Sequence, residues 1–331
     1  MAITIKDIAK KAGVSPSTVS RTINNHYSIS EETKAKVRAV MDELGYVYDK
    51  SHLQTHTIGV VFPRSMVDVY ENPFYLEIVR GISYLCNKEH YTLNLITGAD
   101  VREIKTSIEI ASCEGYIFLY ADINEALTHY MVEHEIPYIV IGKPAMQSVT
   151  SLSVDTDNVQ AGYEAVKYLI GKGHKKIGYI GAEKHAQYAL DRRIGYTQAI
   201  TEAGYPLRDN YIHTLSSSYT YSPDDILSLL RSENCPTAFV VCDDIYAVIM
   251  TRLIDEVGKR VPDDISLISF NNSIFARLAN PPLTTVDVNI EAMTESATDL
   301  IIKKIKEEKH SCGMRIVESK LIIRNSVSEV K

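Results

Sequence analysis

Tryptophan is absent from this 331-residue chain and phenylalanine occurs only 6 times, so the aromatic content rests on 21 tyrosines. Cysteine is sparse: Cys86, Cys113, Cys235, Cys242 and Cys312 lie far apart, with no CxxC pair and no histidine at ligand spacing. That excludes a disulfide scaffold and predicts buried free thiols in a reducing compartment. Nothing approaches the run of about 18 apolar residues that a membrane-spanning helix needs. The opening MAITIKDIAKK lacks the apolar centre of a signal peptide, so a cytoplasmic protein is expected. Enzyme signatures are missing as well. No GxGxxG opens a helix after the first strand, and there is no P-loop and no GxSxG. The 10 histidines show no metal spacing, and basic GKGHKK (171–176) reads as a glycine-terminated helix rather than a phosphate cradle. No catalytic residue, cofactor or metal is expected.

What is present divides unevenly. Apolar residues make up 45% of a chain too long for one ordinary core, which predicts two or three domains. The net charge is −7, yet residues 1–50 carry eight Lys/Arg against six Asp/Glu. A weakly basic head on an acidic body assigns any polyanion to the head.

Within that head, Thr4 and Asp7 have capping-box spacing, and Ile5, Ile8, Ala9 and Ala12 form one apolar stripe. A helix over about 5–12 follows, ended by Gly13. Ser15 then caps a second helix, over about 16–24, with Pro16 in its first turn and Val19 and Ile23 inward. A third begins after Ser30 and uses Val37, Val40, Met41 and Leu44. The outer face of the second helix presents Ser17, Thr18, Ser20, Arg21 and Asn24, and no acid. A merely solvated face carries Glu and Lys; short polar groups with one guanidinium suit phosphates and base edges. The arrangement is a helix-turn-helix with 16–24 as recognition helix.

TIKDIAKKAGVSPSTVSRTINN followed by SISEETKAKVRAVMDELGY resembles the head of the lactose/galactose repressor (LacI/GalR) family. The resemblance implies that Pro16, Ser17 and Arg21 read bases, and that Thr4, Ser15, Thr18 and Asn24 touch phosphates or cap helices. The linker, 46–57, departs from the family. Tyr48 stands where a proline is usual, the Ala-Arg pair is missing, and the only leucine is Leu53. Leu53 is either a minor-groove wedge or the anchor of an ordinary tether.

From residue 58 onward, short apolar runs alternate with helical patterns. IGVVFP (58–63), TLNLIT (92–97), YIFLY (116–120) and YIVIG (138–142) lead to VDTD (154–157). The rhythm then repeats through KIGYIG (176–181), NYIHTL (210–215), TAFVVC (237–242) and ISLISF (265–270). Such alternation, doubled, predicts two lobes of doubly wound parallel sheet. PLTTVDV (282–288), a helix to about 309 and RIVESKLIIR (315–324) complete it. The expected fold is thus α/β: an all-α helix-turn-helix head at 1–45, a linker at 46–57, and a two-lobed core at 58–331. One lobe takes about 58–155 plus 287–311, the other about 156–286 plus 312–331.

Ligands of open α/β sheets sit beyond the carboxyl ends of the strands. That rule nominates 64–74, Lys143, 182–192, Asp243, Asp244 and Asn271. Planar Arg, Asp and Asn groups engage neighbouring hydroxyls in pairs, and Tyr70, Phe74 and Tyr75 offer faces for a sugar ring. The bland alternatives are helix caps, which suit Asp157 and Asp244, and for Arg192 a surface ion pair with Asp191. The family resemblance extends through ENPFYLEIVRGI (71–82), VDTDNVQAG (154–162), DRRIGYTQAI (191–200) and PPLTTVDVN (281–289), and looks most like the maltose-operon repressors of Gram-positive bacteria. It implies a periplasmic-binding-protein-like core whose effector is held by Tyr70, Asn72, Phe74, Lys143, Arg192, Asp243 and Asn271, the last at a position where Asp is usual. The implied protein is a homodimeric repressor of a carbohydrate operon, with pseudo-palindromic operator DNA and a saccharide as partners. Two alternatives stand beside it: a catabolite regulator answering to a phosphorylated carrier protein, and a sugar receptor with no DNA role.

Overall fold

The computed structural model describes residues 3–23, 29–46, 56–62, 72–119, 125–144, 152–182, 187–215, 223–306 and 313–330. The chain forms two compact units, Met1–Thr55 and His56–Lys331. Among the described residues, no helix is long and apolar enough to cross a membrane.

In the first unit, α1 (Ile5–Ala12), α2 (Pro16–Ile23) and α3 (Glu31–Glu43) surround Ile8, Ala9, Ala12, Val19 and Val37. The Asp7 carboxylate accepts from the Thr4 amide at 2.9 Å and from the Thr4 hydroxyl at 2.6 Å, which fixes the start of α1. Gly13 ends it at φ 68°, a left-handed conformation that a side chain would strain. Ser15 Oγ then accepts from the Thr18 amide at 3.1 Å, so the restart is capped within two residues of the stop.

The second unit holds two six-stranded sheets. The first is built from β1 (His56–Val61), β2 (Tyr91–Ile96), β3 (Gly115–Phe118), β4 (Tyr138–Ile141), β5 (Leu152–Thr156) and β11 (Gly313–Val317), in spatial order β11-β5-β4-β3-β1-β2. All its pairings are parallel. The second runs β12-β10-β9-β8-β6-β7, from β6 (Ile177–Ala182), β7 (Ile212–Leu215), β8 (Ala238–Val241), β9 (Ser266–Phe270), β10 (Thr284–Asp287) and β12 (Lys320–Ile322). Only β12 is antiparallel there. Central strands such as β3, β4, β6 and β8 are buried along their whole length because helices cover both faces. In lobe one, α4 (Pro73–Lys88) and α12 (Ile290–Ile305) pack on Ile58, Val60 and Ile139, while α5 (Val101–Ala111) and α6 (Glu125–Glu133) pack on Val61, Phe118 and Val140. In lobe two, α7 (Asn158–Gly171) and α8 (Gln187–Glu202) cover one face. The other is covered by α9 (Asp224–Arg231), α10 (Asp244–Glu256) and α11 (Ile274–Leu278).

One expected boundary is wrong. Residues 312–331 do not all belong with lobe two, because β11 pairs with β5 in the sheet of lobe one. The run RIVESKLIIR reads as one strand but is two, split at Glu318 and Ser319, where the chain crosses between sheets. The residues after that crossing do join lobe two: Ser326 Oγ accepts from the Thr284 amide at 2.8 Å and donates to Leu267 O at 2.6 Å. The lobes are therefore connected three times, after β5, after β10 and after β11.

Candidate functional site

On the head, Pro16, Ser17 and Arg21 are exposed, and Thr18 and Ser20 are half-buried on α2. Thr4 and Ser15 are exposed at the starts of their helices. Ser15 Oγ also lies 2.7 Å from Ser17 Oγ and 2.8 Å from Thr18 Oγ1, so three hydroxyls cluster at the beginning of the helix. No acidic residue stands in the first turn of α2, which leaves its positive dipole end uncompensated. Asn24 and Leu53 lie outside the described residues, as does Tyr70.

In the core, the residues nominated from strand ends converge. Arg192, on α8, is only 3% exposed. Its Nε donates to Asn158 Oδ1 at 2.8 Å, and its Nη1 donates to the Cys242 carbonyl. The guanidinium lies 4.2 Å from the centre of the Phe270 ring and 5.0 Å from that of Tyr188. Of its five N–H groups two are thus engaged among the described residues, and three remain for a partner. The surface pair with Asp191 does not form. Asp191 instead accepts from Lys143 Nζ at 3.0 Å and Gln187 Nε2 at 2.7 Å.

What puts Arg192 there is a close helix crossing. A methyl group on Gly162 of α7 would lie 2.3 Å from the Arg192 carbonyl oxygen, and one on Gly195 of α8 would lie 2.0 Å from Val159 O. Both glycines belong to the motifs DNVQAG and DRRIGY, and they let the two backbones touch.

Asp243 occupies the carboxyl end of β8 and is 3% exposed. Its Oδ1 accepts from the Ile245 amide at 3.0 Å, so Asp243 and not Asp244 caps α10. Asp244 is the first helical residue and finds its donors inside the lobe: Ser269 Oγ, Thr285 Oγ1 at 2.8 Å and the Ser273 amide at 2.7 Å. Asp157 does cap α7, accepting from the Gln160 amide at 2.9 Å. The other oxygen of Asp243 accepts from Asn271 Nδ2 at 2.8 Å and from Asn72 Nδ2 at 3.2 Å. Asn72 in turn caps α4 by accepting from the Phe74 amide at 3.0 Å, and Phe74 stands edge-on to Tyr75 at 5.5 Å. Asn72 and Lys143 belong to lobe one, Asp243 and Asp191 to lobe two. The bonds from Asn72 to Asp243 and from Lys143 to Asp191 therefore bridge the lobes directly.

Burial governs the electrostatics. It lifts the Asp155 carboxyl to about 6 against the opposing Thr156 amide and Arg192, and Asp244 to about 6 with help from neighbouring Asp243. Asp243 is raised too, despite the Ile245 amide, Arg192 and both asparagines. Asp155 and Asn158 escaped the sequence reading. VDTDN looked like a strand end with a cap at Asp157, yet Asn158 Nδ2 donates to both oxygens of Asp155 at 3.2 Å and passes the network on to Arg192. Phe270 was also missed; its signal was the final aromatic of ISLISF, one residue before Asn271.

Residues 4–49 match "Bacterial regulatory proteins, lacI family", and residues 166–327 match "Periplasmic binding protein-like domain". Over 97% of its length the chain is 33% identical to the HTH-type transcriptional regulator MalR of Streptococcus pneumoniae serotype 4, covering 99% of that protein. The chain belongs to the LacI family. A LacI-family chain of this kind is a DNA-binding transcriptional regulator. It is also 28% identical, over 99% of both chains, to the transcriptional repressor PurR of Photobacterium profundum. Among solved structures, the complex of the transcriptional regulator CelR with cellobiose superimposes with a TM-score of 0.73 and 25% identity, covering 98% of this chain and 99% of that one.

Proposed function

We propose that this LacI-family regulator represses a carbohydrate-utilisation operon of maltose or α-glucoside type, and that a saccharide between the lobes controls its grip on DNA. Two copies bind a pseudo-palindromic operator, since two heads related by a two-fold axis meet two half-sites. The observation that carries the reading is Arg192: a buried guanidinium over Phe270, with three N–H groups unengaged among the described residues, beside the Asp243 carboxylate that holds Asn271 and Asn72. Such a ring of planar donors and acceptors on aromatic walls matches adjacent sugar hydroxyls and the apolar face of a pyranose. The names of its relatives agree, one a MalR and one solved with cellobiose.

The test has two arms. Thermal shift of the purified chain against mono- and disaccharides reads binding, since ligand at about a hundred times its dissociation constant stabilises by roughly 2.7 kcal/mol. Calorimetry on Arg192→Lys, which keeps the charge but loses the planar fork, then reads the site. We expect at least about a tenfold loss of affinity, or 1.4 kcal/mol, with operator binding retained. Wild-type saccharide affinity in this variant, or no saccharide that stabilises the wild type, overturns the reading.

A further inference from the structure

Behind Arg192 runs a sealed polar chain that ends at Asp155: Arg192 and Asn158 are each 3% exposed and Asp155 8%. An amide side chain presents a donor at one end and an acceptor at the other, and half a turn exchanges them. In Asn158 that choice is made by its surroundings. Nδ2 lies 3.2 Å from each Asp155 oxygen and 3.4 Å from Thr156 O, so three acceptors hold the donor end. The acceptor end is thereby turned to Arg192, 2.8 Å from Nε. Turned the other way, Asn158 would set an N–H against the Nε–H of Arg192. The guanidinium would then keep the Cys242 carbonyl as its anchor but lose its second, and a planar fork on one anchor swivels.

The charge on Asp155 is what holds the amide in place. Asp155 Oδ1 also accepts from the Thr156 amide at 2.8 Å, which leaves Oδ2 as the seat for a proton. A protonated Oδ2 is a donor facing Asn158, and the partner it calls for is the amide oxygen, so protonation favours the turned amide. Burial pushes the Asp155 carboxyl up to about 6; Arg192 opposes the rise and Asp191 adds to it, both from α8. Lys143 stands on Asp191 at 3.0 Å. On its other flanks Asp155 has Ile316 opposite it on β11, Gly142 bonded to Val154 beyond β4, and Asp157, exposed at the cap of α7.

We propose that Asp155 is a positioning residue of the cleft: through Asn158 it fixes the guanidinium of Arg192, and saccharide binds the form in which Asp155 is ionised. The ligand rests on the reading of the cleft given above; the hold on Arg192 stands without it. Proton and saccharide are then linked, and affinity falls as pH falls through about 6. A carboxyl titrating there that must be charged costs about tenfold in affinity near pH 5 and almost nothing near pH 7.5. Asp155→Asn keeps an acceptor for the Thr156 amide but puts a donor in place of Oδ2, so it mimics the protonated form at every pH.

Two measurements on the full chain test this. NMR of arginine Nε–H groups reads the hold with no ligand present. The Arg192 signal, assigned by its loss in Arg192→Lys, is protected from exchange in the wild type and exchanges about tenfold faster in Asp155→Asn, as expected for one lost hydrogen bond to a charged group. Calorimetry with maltose reads the consequence. Wild-type affinity falls about tenfold between about pH 7.5 and 5, whereas Asp155→Asn binds about tenfold more weakly throughout and lacks that fall. Asp243, whose carboxyl is raised as well, is present in both proteins and drops out of the comparison. The exchanged pair, Asp155→Asn with Asn158→Asp, puts a carboxylate against Arg192 and an amide behind it; it restores the protected signal and the affinity, which a merely structural role for Asp155 would not. Equal protection in Asp155→Asn, or an exchanged pair no better than the single variant, overturns the positioning role. A flat pH profile in the wild type, or an equal fall in Asp155→Asn, overturns the proton linkage. A wild type that binds no maltose overturns the maltose-type reading of the cleft, while the Nε–H signal still decides the hold on Arg192.

Discussion

Arg21 and Asp155 mark the two extremes that a single residue occupies in this protein. Arg21 is exposed on an acid-free helix, where nothing in the head's core depends on it. Arg21→Ala is expected to cost roughly 1–3 kcal/mol of operator affinity and to relax discrimination at one base pair of each half-site. Anisotropy titrations at fixed salt, on the operator and its single-base variants, check this; unchanged affinity would remove Arg21 from the reading surface. Asp155 is nearly sealed, and its carboxyl titrates at about 6 because burial penalises the charge. A carboxyl raised in the folded state favours folding below about pH 4 and gives that contribution up as pH rises through about 6. Asp155→Asn lacks this titration, so its stability relative to wild type improves by about 2–3 kcal/mol between pH 4 and 7. Urea unfolding of both proteins at each pH measures the difference, and a flat one contradicts the assignment. Sequence could nominate Arg192 and Asp243 because strand ends are visible as pattern. It could not see Asp155: its donors, the Thr156 amide and Asn158, are local, but the burial that raises its carboxyl comes from the packing of the folded lobes around it.

At the level of elements, helix boundaries were readable wherever a cap is local. Thr4 with Asp7, Gly13 and Ser15 each act on neighbours within four residues, and α1 and α2 start and stop where those residues dictate. The Asp243–Asp244 pair defeated the same reasoning by one position, since both residues suit a cap and only the donors around Asp244 decide between them. What the DNVQAG and DRRIGY motifs are for became legible only as packing. Their glycines set the distance between α7 and α8, and that distance sets the position of Arg192. Gly195→Ala forces two backbones apart and is expected to cost about 1–3 kcal/mol or slightly more. Saccharide affinity falls with it, although the substituted residue makes no polar contact in the cleft. Denaturant unfolding alongside calorimetry follows both effects; a variant as stable as wild type with intact saccharide binding refutes the crossing as the positioning device.

For the molecule as a whole, the bonds of Asn72 to Asp243 and of Lys143 to Asp191 act across the same gap that the proposed saccharide occupies. Asn72→Asp keeps the cap on α4 but sets a second carboxylate against Asp243. Like charges at that range repel, so the lobes part and saccharide binding weakens by about tenfold, or 1.4 kcal/mol. Small-angle scattering of the unliganded variant reports the opening, and a profile identical to wild type counts against these contacts as a latch. Two lobes were predictable because the strand–helix rhythm runs twice. The assignment of β11 was not, because an edge strand's partner lies far away in sequence: β5 ends at Thr156 and β11 begins at Gly313.

That placement of β11 has a consequence on the ribosome. Lobe one is begun by β1 and closed only by β11, which is made after every strand of lobe two except β12. At ordinary translation speeds of about 5–20 residues per second, the outer edge of β5 waits roughly ten to thirty seconds for its neighbour. During that interval it is an open strand edge, the kind of surface on which chains pair with the wrong partner. The lobe that the ribosome starts first is therefore the one that nascent-chain chaperones have longest to guard.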